Sequence, residues 1–143
     1  WSGEPFSYDG VHYQVSETTF MPRPMQQPRI PIWVAGTWPN KGPFRRAARF
    51  DGVYPLADDN GMPTLITPPG VREVVTNIAE QRPDMDGYDV SAAIVLTGDP
   101  AEDRRRIGEF EDAGVTWAHI GPSGEGETFE EVAGWVAAGP PRS

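Results

Sequence analysis

The chain has 143 residues, 38% of them hydrophobic, and a formal net charge of −9. That length suits one domain with a packed core, and the acidic balance argues against a generic nucleic-acid or anionic-membrane binder, since both need a basic surface. Cysteine is absent, which removes disulfides, thiolate metal sites and cysteine nucleophiles together.

No apolar run approaches the roughly 20 residues that span a bilayer, and no leader-peptide pattern is present. A cytoplasmic protein is the expectation. The first residue is Trp1, which points to a piece of something longer. Residues 6–15 carry a hairpin signal, in which Asp9 and Gly10 are expected to supply the two positive-φ positions of a tight turn. Prolines at 22, 24, 28 and 31 then prevent both laddering and coiling, so this stretch is an extended connector. Residues 1–29 are therefore expected to form a hairpin and a proline-rich insertion segment.

From residue 30 the pattern becomes strand, loop, helix, repeated. Ile32, Trp33, Val34 and Ala35 form a short apolar run, as in a strand buried on both faces. Residues 36–42 read as a loop, and Pro43 opens a helix lined by Phe44, Ala47 and Ala48. Residues 52–56 are a second strand, followed by a long loop over 57–67. Val71, Val74, Val75, Ile78 and Ala79 then repeat at helical spacing behind Pro68 and Pro69. Residues 89–97 are the third strand. Asp99 is placed to cap the next helix, with Pro100 at its first position and Glu102 and Asp103 near its positive end. Ile107 and Phe110 face inward there, and Gly114 ends it. Residues 115–120 are the fourth strand. Thr128 and Glu131 make a capping-box pattern ahead of Phe129, Val132, Ala133 and Val136, and Gly139 with Pro140 stops the last helix.

Four βα units in the same order predict parallel strands with crossover helices. A complete (β/α)8 barrel takes about 250 residues, so residues 30–143 can supply half of one. Four parallel strands left open would expose two edges of buried type. Either the other half was cut away, or the chain is a homo-oligomer that pairs through those edges. A non-catalytic half-barrel that self-associates in this way is the alternative to an enzyme. A free-standing small α/β domain with a phosphate ligand is a third reading.

In α/β folds the site lies at the C-terminal ends of the strands. The first strand ends in the stretch Ala35, Gly36, Thr37, Trp38, Pro39, Asn40 and Lys41. Small residues there let a ligand approach the backbone. Thr37 and Asn40 offer hydrogen bonds, Lys41 adds charge, and the following helix aims N–H groups at the same place. The competing reading is an ordinary βα turn, since no P-loop or GxGxxG pattern is present. Trp38 could cover a flat ring. Trp33 and Trp117, both in strands, read as core. His119 is either a proton donor or a packed, hydrogen-bonded histidine, and His12 belongs to the hairpin. Asp58 and Asp59 lie at the active end but read as solvated loop residues, and Glu125, Glu127, Glu130 and Glu131 as a soluble helix entrance. Arg45, Arg46 and Arg49, and likewise Arg104, Arg105 and Arg106, fall on outer helix faces. Two distant histidines make no metal site, and no hydroxyl has a neighbouring base, so a hydrolase is disfavoured.

Three runs carry a resemblance: residues 1–10 (WSGEPFSYDG), 22–36 (PRPMQQPRIPIWVAG) and 45–52 (RRAARFDG). Together they resemble the bacterial luciferase-like monooxygenases, a family that includes flavin-dependent enzymes and relatives using a deazaflavin. Ala113, Gly114 and Val115 are similar to that family's approach to its last strand. The resemblance implies a (β/α)8 barrel whose insertion holds the hairpin and connector, with the four strands here as the fifth to eighth. It implies an oxidoreductase or monooxygenase of a small organic substrate, with FMN or alternatively a deazaflavin. The cofactor phosphate would sit at Ala35, Gly36 and Thr37, with Trp38 and Asn40 beside it. The family's first four strands are absent, so no catalytic residue is assigned.

Overall fold

The structure is a computed structural model that describes residues 2–120 and 126–139. Trp1, Gly121, Pro122, Ser123, Gly124, Glu125 and Pro140 lie outside the described residues. The chain divides into two units, Trp1–Ile30 and Pro31–Ser143.

In the first unit β1 (Phe6–Asp9) pairs antiparallel with β2 (Gln14–Thr18). The hairpin forms, but its turn differs from the expected one. Asp9 pairs with Gln14, so the loop is residues 10–13, and neither Asp9 nor Gly10 has a positive φ. A four-residue loop closed by Gly10 N–H donating to Tyr13 O at 2.9 Å does not need the strained conformation of a two-residue turn. His12 is exposed in that loop. Residues 19–30 contain neither helix nor strand.

The second unit holds β3 (Trp33–Trp38), α1 (Lys41–Ala47), β4 (Gly52–Asp59), β5 (Met62–Thr64) and α2 (Pro68–Ala79). It continues with β6 (Asp89–Ile94), α3 (Pro100–Asp112), β7 (Trp117–Ile120) and α4 (Phe129–Ala138). The strand order is β3-β4-β6-β7, every neighbouring pair parallel. This is an α/β unit with an open sheet, and β3 and β7 are its edges. The expected long loop after the second strand contains a hairpin instead. β4 runs on to Asp59 and β5 folds back antiparallel upon it. Asn60 and Gly61 make the turn with φ of 52° and 90°, the left-handed pair that a two-residue hairpin loop demands. Gly61 N–H donates to Asp58 Oδ1 at 2.7 Å.

Each helix starts where its caps dictate. Thr67 accepts from Gly70 N–H, Asp99 from the N–H groups of Ala101 and Glu102, and Thr128 closes a complete capping box with Glu131. The core lies between the sheet and α1 to α3. It comprises Phe44 and Ala47, Val71, Val74 and Ile78, and Phe110 from the helices, against Val53, Val90, Ala92 and Ile94 from the strands. Arg82 ties the end of α1 to the rest. It donates to Ala48 O at 2.8 Å and Phe50 O at 2.9 Å while stacking over Tyr88.

Two expectations about burial fail. β3 is only half-buried and β7 is exposed throughout, because each is an edge and, among the described residues, the core helices α1 to α3 pack on one face of the sheet only. The apolar stripe of α4 is also uncovered, with Phe129 82% and Val136 77% exposed, and the helix has no buried residue. Among the described residues, no helix is long and apolar enough to cross a membrane.

Candidate functional site

β3 is longer than its apolar run suggested, so Gly36, Thr37 and Trp38 belong to the strand and not to a loop. Alternation then sends their side chains to opposite faces. Val34, Gly36 and Trp38 look toward the helices; Trp33, Ala35 and Thr37 look toward the helix-free face. The helix-facing positions have structural partners. A Cβ on Gly36 would lie 2.6 Å from Pro43 Cβ, so the missing side chain admits α1 against the strand. The Trp38 indole packs edge-on against Phe44, centroids 5.4 Å apart, and donates its N–H to Glu73 at 2.7 Å. Trp38 and Lys41 border an open groove of about 380 Å³ whose other wall includes Arg72 and Glu73.

After Trp38 only Pro39 and Asn40 separate strand from helix. Asn40 N–H donates to Thr37 O at 3.0 Å, and its side-chain oxygen accepts from Gly42 N–H. The helix begins at Lys41, two residues before the expected Pro43. Its first turn is a poorer bank of donors than the sequence implied, because Gly42 N–H is already capped and Pro43 has none. Three side-chain donors remain at this turn: the Thr37 hydroxyl, the Asn40 amide nitrogen and the Lys41 ammonium. Among the described residues none of them has a hydrogen-bond or ion-pair partner.

A second cluster occupies the helix-free face, and sequence reasoning missed most of it. The Trp33 and Trp117 indoles, expected in the core, instead donate to the two oxygens of one carboxylate, Asp89, at 2.9 Å each. Their centroids are 5.7 Å apart. Trp33 reaches Asp89 by crossing over β4 at Gly52, where a Cβ would lie 2.6 Å from Trp33 Cδ1. His119 resolves to its plainer reading. Its Nε2 is 2.5 Å from the hydroxyl of the fully buried Ser91, and Trp33 and Tyr54 flank its ring. The discoverable signal was parity: Trp33, Asp89, Ser91, Trp117 and His119 all occupy positions opposite to the buried valines of their own or neighbouring strands.

The remaining polar candidates serve the scaffold. Asp58 and Asp59 bond within the β4–β5 turn. Asp103 does more than favour a helix end. It is buried and accepts from Thr97 N–H, Thr97 Oγ1 and Gly98 N–H, and these bonds, the Thr97 N–H above all, hold its carboxyl below the usual range. Arg106 leaves the solvated face to donate to Val95 O at 2.6 Å, whereas Arg105 stays outside and pairs with Glu102 and Glu109. Arg45, Arg46 and Arg49 are exposed, as expected. Among the described residues, no group of three or more His, Asp or Glu could hold a metal ion.

The chain is similar to the oxygenase component of a flavin-dependent trigonelline monooxygenase from Acinetobacter baylyi, with 43% identity over 44 residues. That stretch is 31% of this chain and 12% of the length of that protein. No family model and no solved structure matches the chain.

Proposed function

We propose that this chain is part of a flavin-dependent oxidoreductase of the luciferase-like kind, a monooxygenase acting on a small organic molecule. The observation that carries the reading is the 43% identity over 44 residues with a flavin-dependent oxygenase component. The parallel order β3-β4-β6-β7 with helices on one face supports assigning these strands as the fifth to eighth of a (β/α)8 barrel. The flavin, FMN or a deazaflavin, supplies the redox chemistry when bound; the protein binds and orients it.

The proposed phosphate seat is the turn after β3. The residues there fit an anion, because Thr37, Asn40 and Lys41 present three unengaged donors within five residues. The main-chain stretch Ala35-Gly36-Thr37 forms its floor. Trp38 borders the seat from the helix side, held by Glu73 and Phe44, which makes it a wall and not a stacking platform. No described residue is assigned to the ring of the cofactor, and no catalytic residue is named.

The test is a titration of the purified chain with FMN and with a deazaflavin, oxidised and reduced, alongside Thr37→Val and Lys41→Ala. Saturable binding that weakens about tenfold with each lost donor to the anion is expected, equivalent to about 1.4 kcal/mol. Absence of saturable binding to either cofactor refutes the assignment.

A further inference from the structure

We propose that the groove between the start of α1 and the exposed side of α2 binds a phosphate dianion, free or as a phosphate monoester, and that Trp38 keeps the site open by holding Glu73. The proposal goes beyond the flavin reading and does not rest on it.

Both walls of the groove come from neighbouring elements of this chain. Trp38 and Lys41 form one wall; Arg72, Glu73, Asn77 and Glu80 stand along the other. Thr37 does not line it, because alternation along β3 sends that hydroxyl to the opposite face from Trp38. The groove is therefore distinct from the seat assigned to the flavin phosphate, and Lys41 stands between the two.

The cations in the groove are left unneutralised. In a chain with 21 acidic and 12 basic residues, a cation ordinarily has carboxylates to choose from. Two carboxylates line this groove, yet among the described residues neither Lys41 nor Arg72 forms an ion pair. Glu73 is turned to the Trp38 indole, whose N–H it accepts at 2.7 Å, and so makes contact with neither cation. Glu80 lies eight residues beyond Arg72, about 12 Å along the helix axis. That exceeds the screening length of about 8 Å at physiological ionic strength, so Glu80 does little to cancel the charge at the other end.

The unengaged groups define the ligand. Gln81 donates to Asn77 Oδ1 at 3.0 Å, which leaves the Asn77 amide nitrogen as a donor. With it stand the Lys41 ammonium and the planar Arg72 fork, a geometry that matches two phosphate oxygens at once. Two cations balance a dianion better than a single carboxylate. Trp38 is a positioning residue here: without its N–H, Glu73 is free to swing onto Lys41 or Arg72 and occupy the place of the anion.

Nuclear magnetic resonance titration of the 143-residue chain with inorganic phosphate tests this, followed at the Trp38 indole N–H and the Arg72 Nε–H, with acetate as the second probe. Saturable shifts with phosphate are expected, weaker as sodium chloride is raised, and with acetate much weaker ones. Arg72→Ala should weaken phosphate about tenfold, and Thr37→Val should leave it unchanged. Glu73→Gln keeps an acceptor for the indole and should tighten binding. Trp38→Phe should weaken it about threefold, and adding Glu73→Gln to Trp38→Phe should restore it, which a merely structural part for the indole would not allow. No saturable shift, acetate binding as well as phosphate, or a double variant no better than Trp38→Phe each overturn the proposal. Phosphate binding that needs Thr37 and not Arg72 overturns it and leaves the proposed function standing. Phosphate binding that needs Arg72, in a chain that takes up no flavin, supports the groove and refutes the flavin reading.

Discussion

Replacing Gly52 by alanine tests the arrangement of the helix-free face through a single methyl group. Gly52 has no positive φ, so backbone conformation alone would welcome alanine, and the lost flexibility of the unfolded chain would stabilise by about 0.4–1 kcal/mol. Packing opposes this. The new Cβ would lie 2.6 Å from Trp33 Cδ1, 2.7 Å from Asp89 O and 2.8 Å from Asp89 Cβ. Two of those atoms belong to or adjoin the backbone of the neighbouring strand and cannot swing aside. Overpacking of this kind costs about 1–3 kcal/mol, and the rigid neighbours place Gly52→Ala toward the upper end. A net loss of about 2 kcal/mol is expected, which lowers the melting temperature by about 8 °C in a unit of this size. Gly108→Ala is the matched control. Gly108 lies inside α3 with nothing within 4 Å of a Cβ, so alanine should stabilise by about 1 kcal/mol through helix propensity. Thermal and urea denaturation followed by far-ultraviolet circular dichroism measure both variants, and tryptophan emission reports on the Trp33–Asp89 bond. If Gly52→Ala melts at or above the unaltered chain, Trp33 does not cross β4 there and the described clamp is wrong.

Three further outcomes follow from polar groups inside the scaffold. Asp103 has its carboxyl pKa lowered in the folded state, chiefly by the Thr97 N–H. The stability it contributes is present above the unfolded carboxyl pKa, near 3.9, and disappears as pH falls through the lower folded value; Asp103→Asn should be less stable at pH 7 and show a flatter acid limb in urea melts. Tyr88, whose hydroxyl donates to Ala47 O, has its pKa pushed up to about 12 by burial, with Arg82 opposing and Asp51 assisting. Its contribution is fully present below the usual phenol pKa of about 10 and is lost as pH rises from there toward the folded value of about 12, so ultraviolet titration should show one tyrosine ionising late, together with loss of structure, and Tyr88→Phe should remove that step. Arg82→Met strips donors from Ala48 O and Phe50 O and should cost about 1–3 kcal/mol, measured by urea denaturation; an unchanged midpoint would mean that water replaces the guanidinium.

Much of the architecture was legible in the residues themselves. The stripe Val71, Val74, Ile78 predicted α2, and Thr67, Asp99 and Thr128 marked the helix starts because capping is a local reaction between a side chain and the next few N–H groups. Boundaries were less legible where short apolar runs ended. β3 continues through Gly36, Thr37 and Trp38 because β4 supplies ladder partners as far as Trp38↔Ala57, which no local pattern announces. The β4–β5 hairpin was written in Asn60-Gly61 and was passed over, while Asp9-Gly10, a similar dipeptide, found a longer loop.

The candidate site divides along the same line. Small size, hydroxyl and charge around Thr37, Asn40 and Lys41 could be read from the seven residues 35–41. Which face each side chain takes could not, and that decided that Trp38 joins Glu73 and Phe44 in the helix layer. The Trp33–Asp89–Trp117 clamp joins residues 56 and 28 positions apart, and Gly52 matters only because Trp33 lies over it. By itself the sequence determined the order of elements, their caps and their parallel sense, since hydrophobic period and turn chemistry act over a few residues. Only the tertiary structure decided which strand face stays uncovered and which edges stay open, because those depend on how many strands meet and on what lies beyond the last of them.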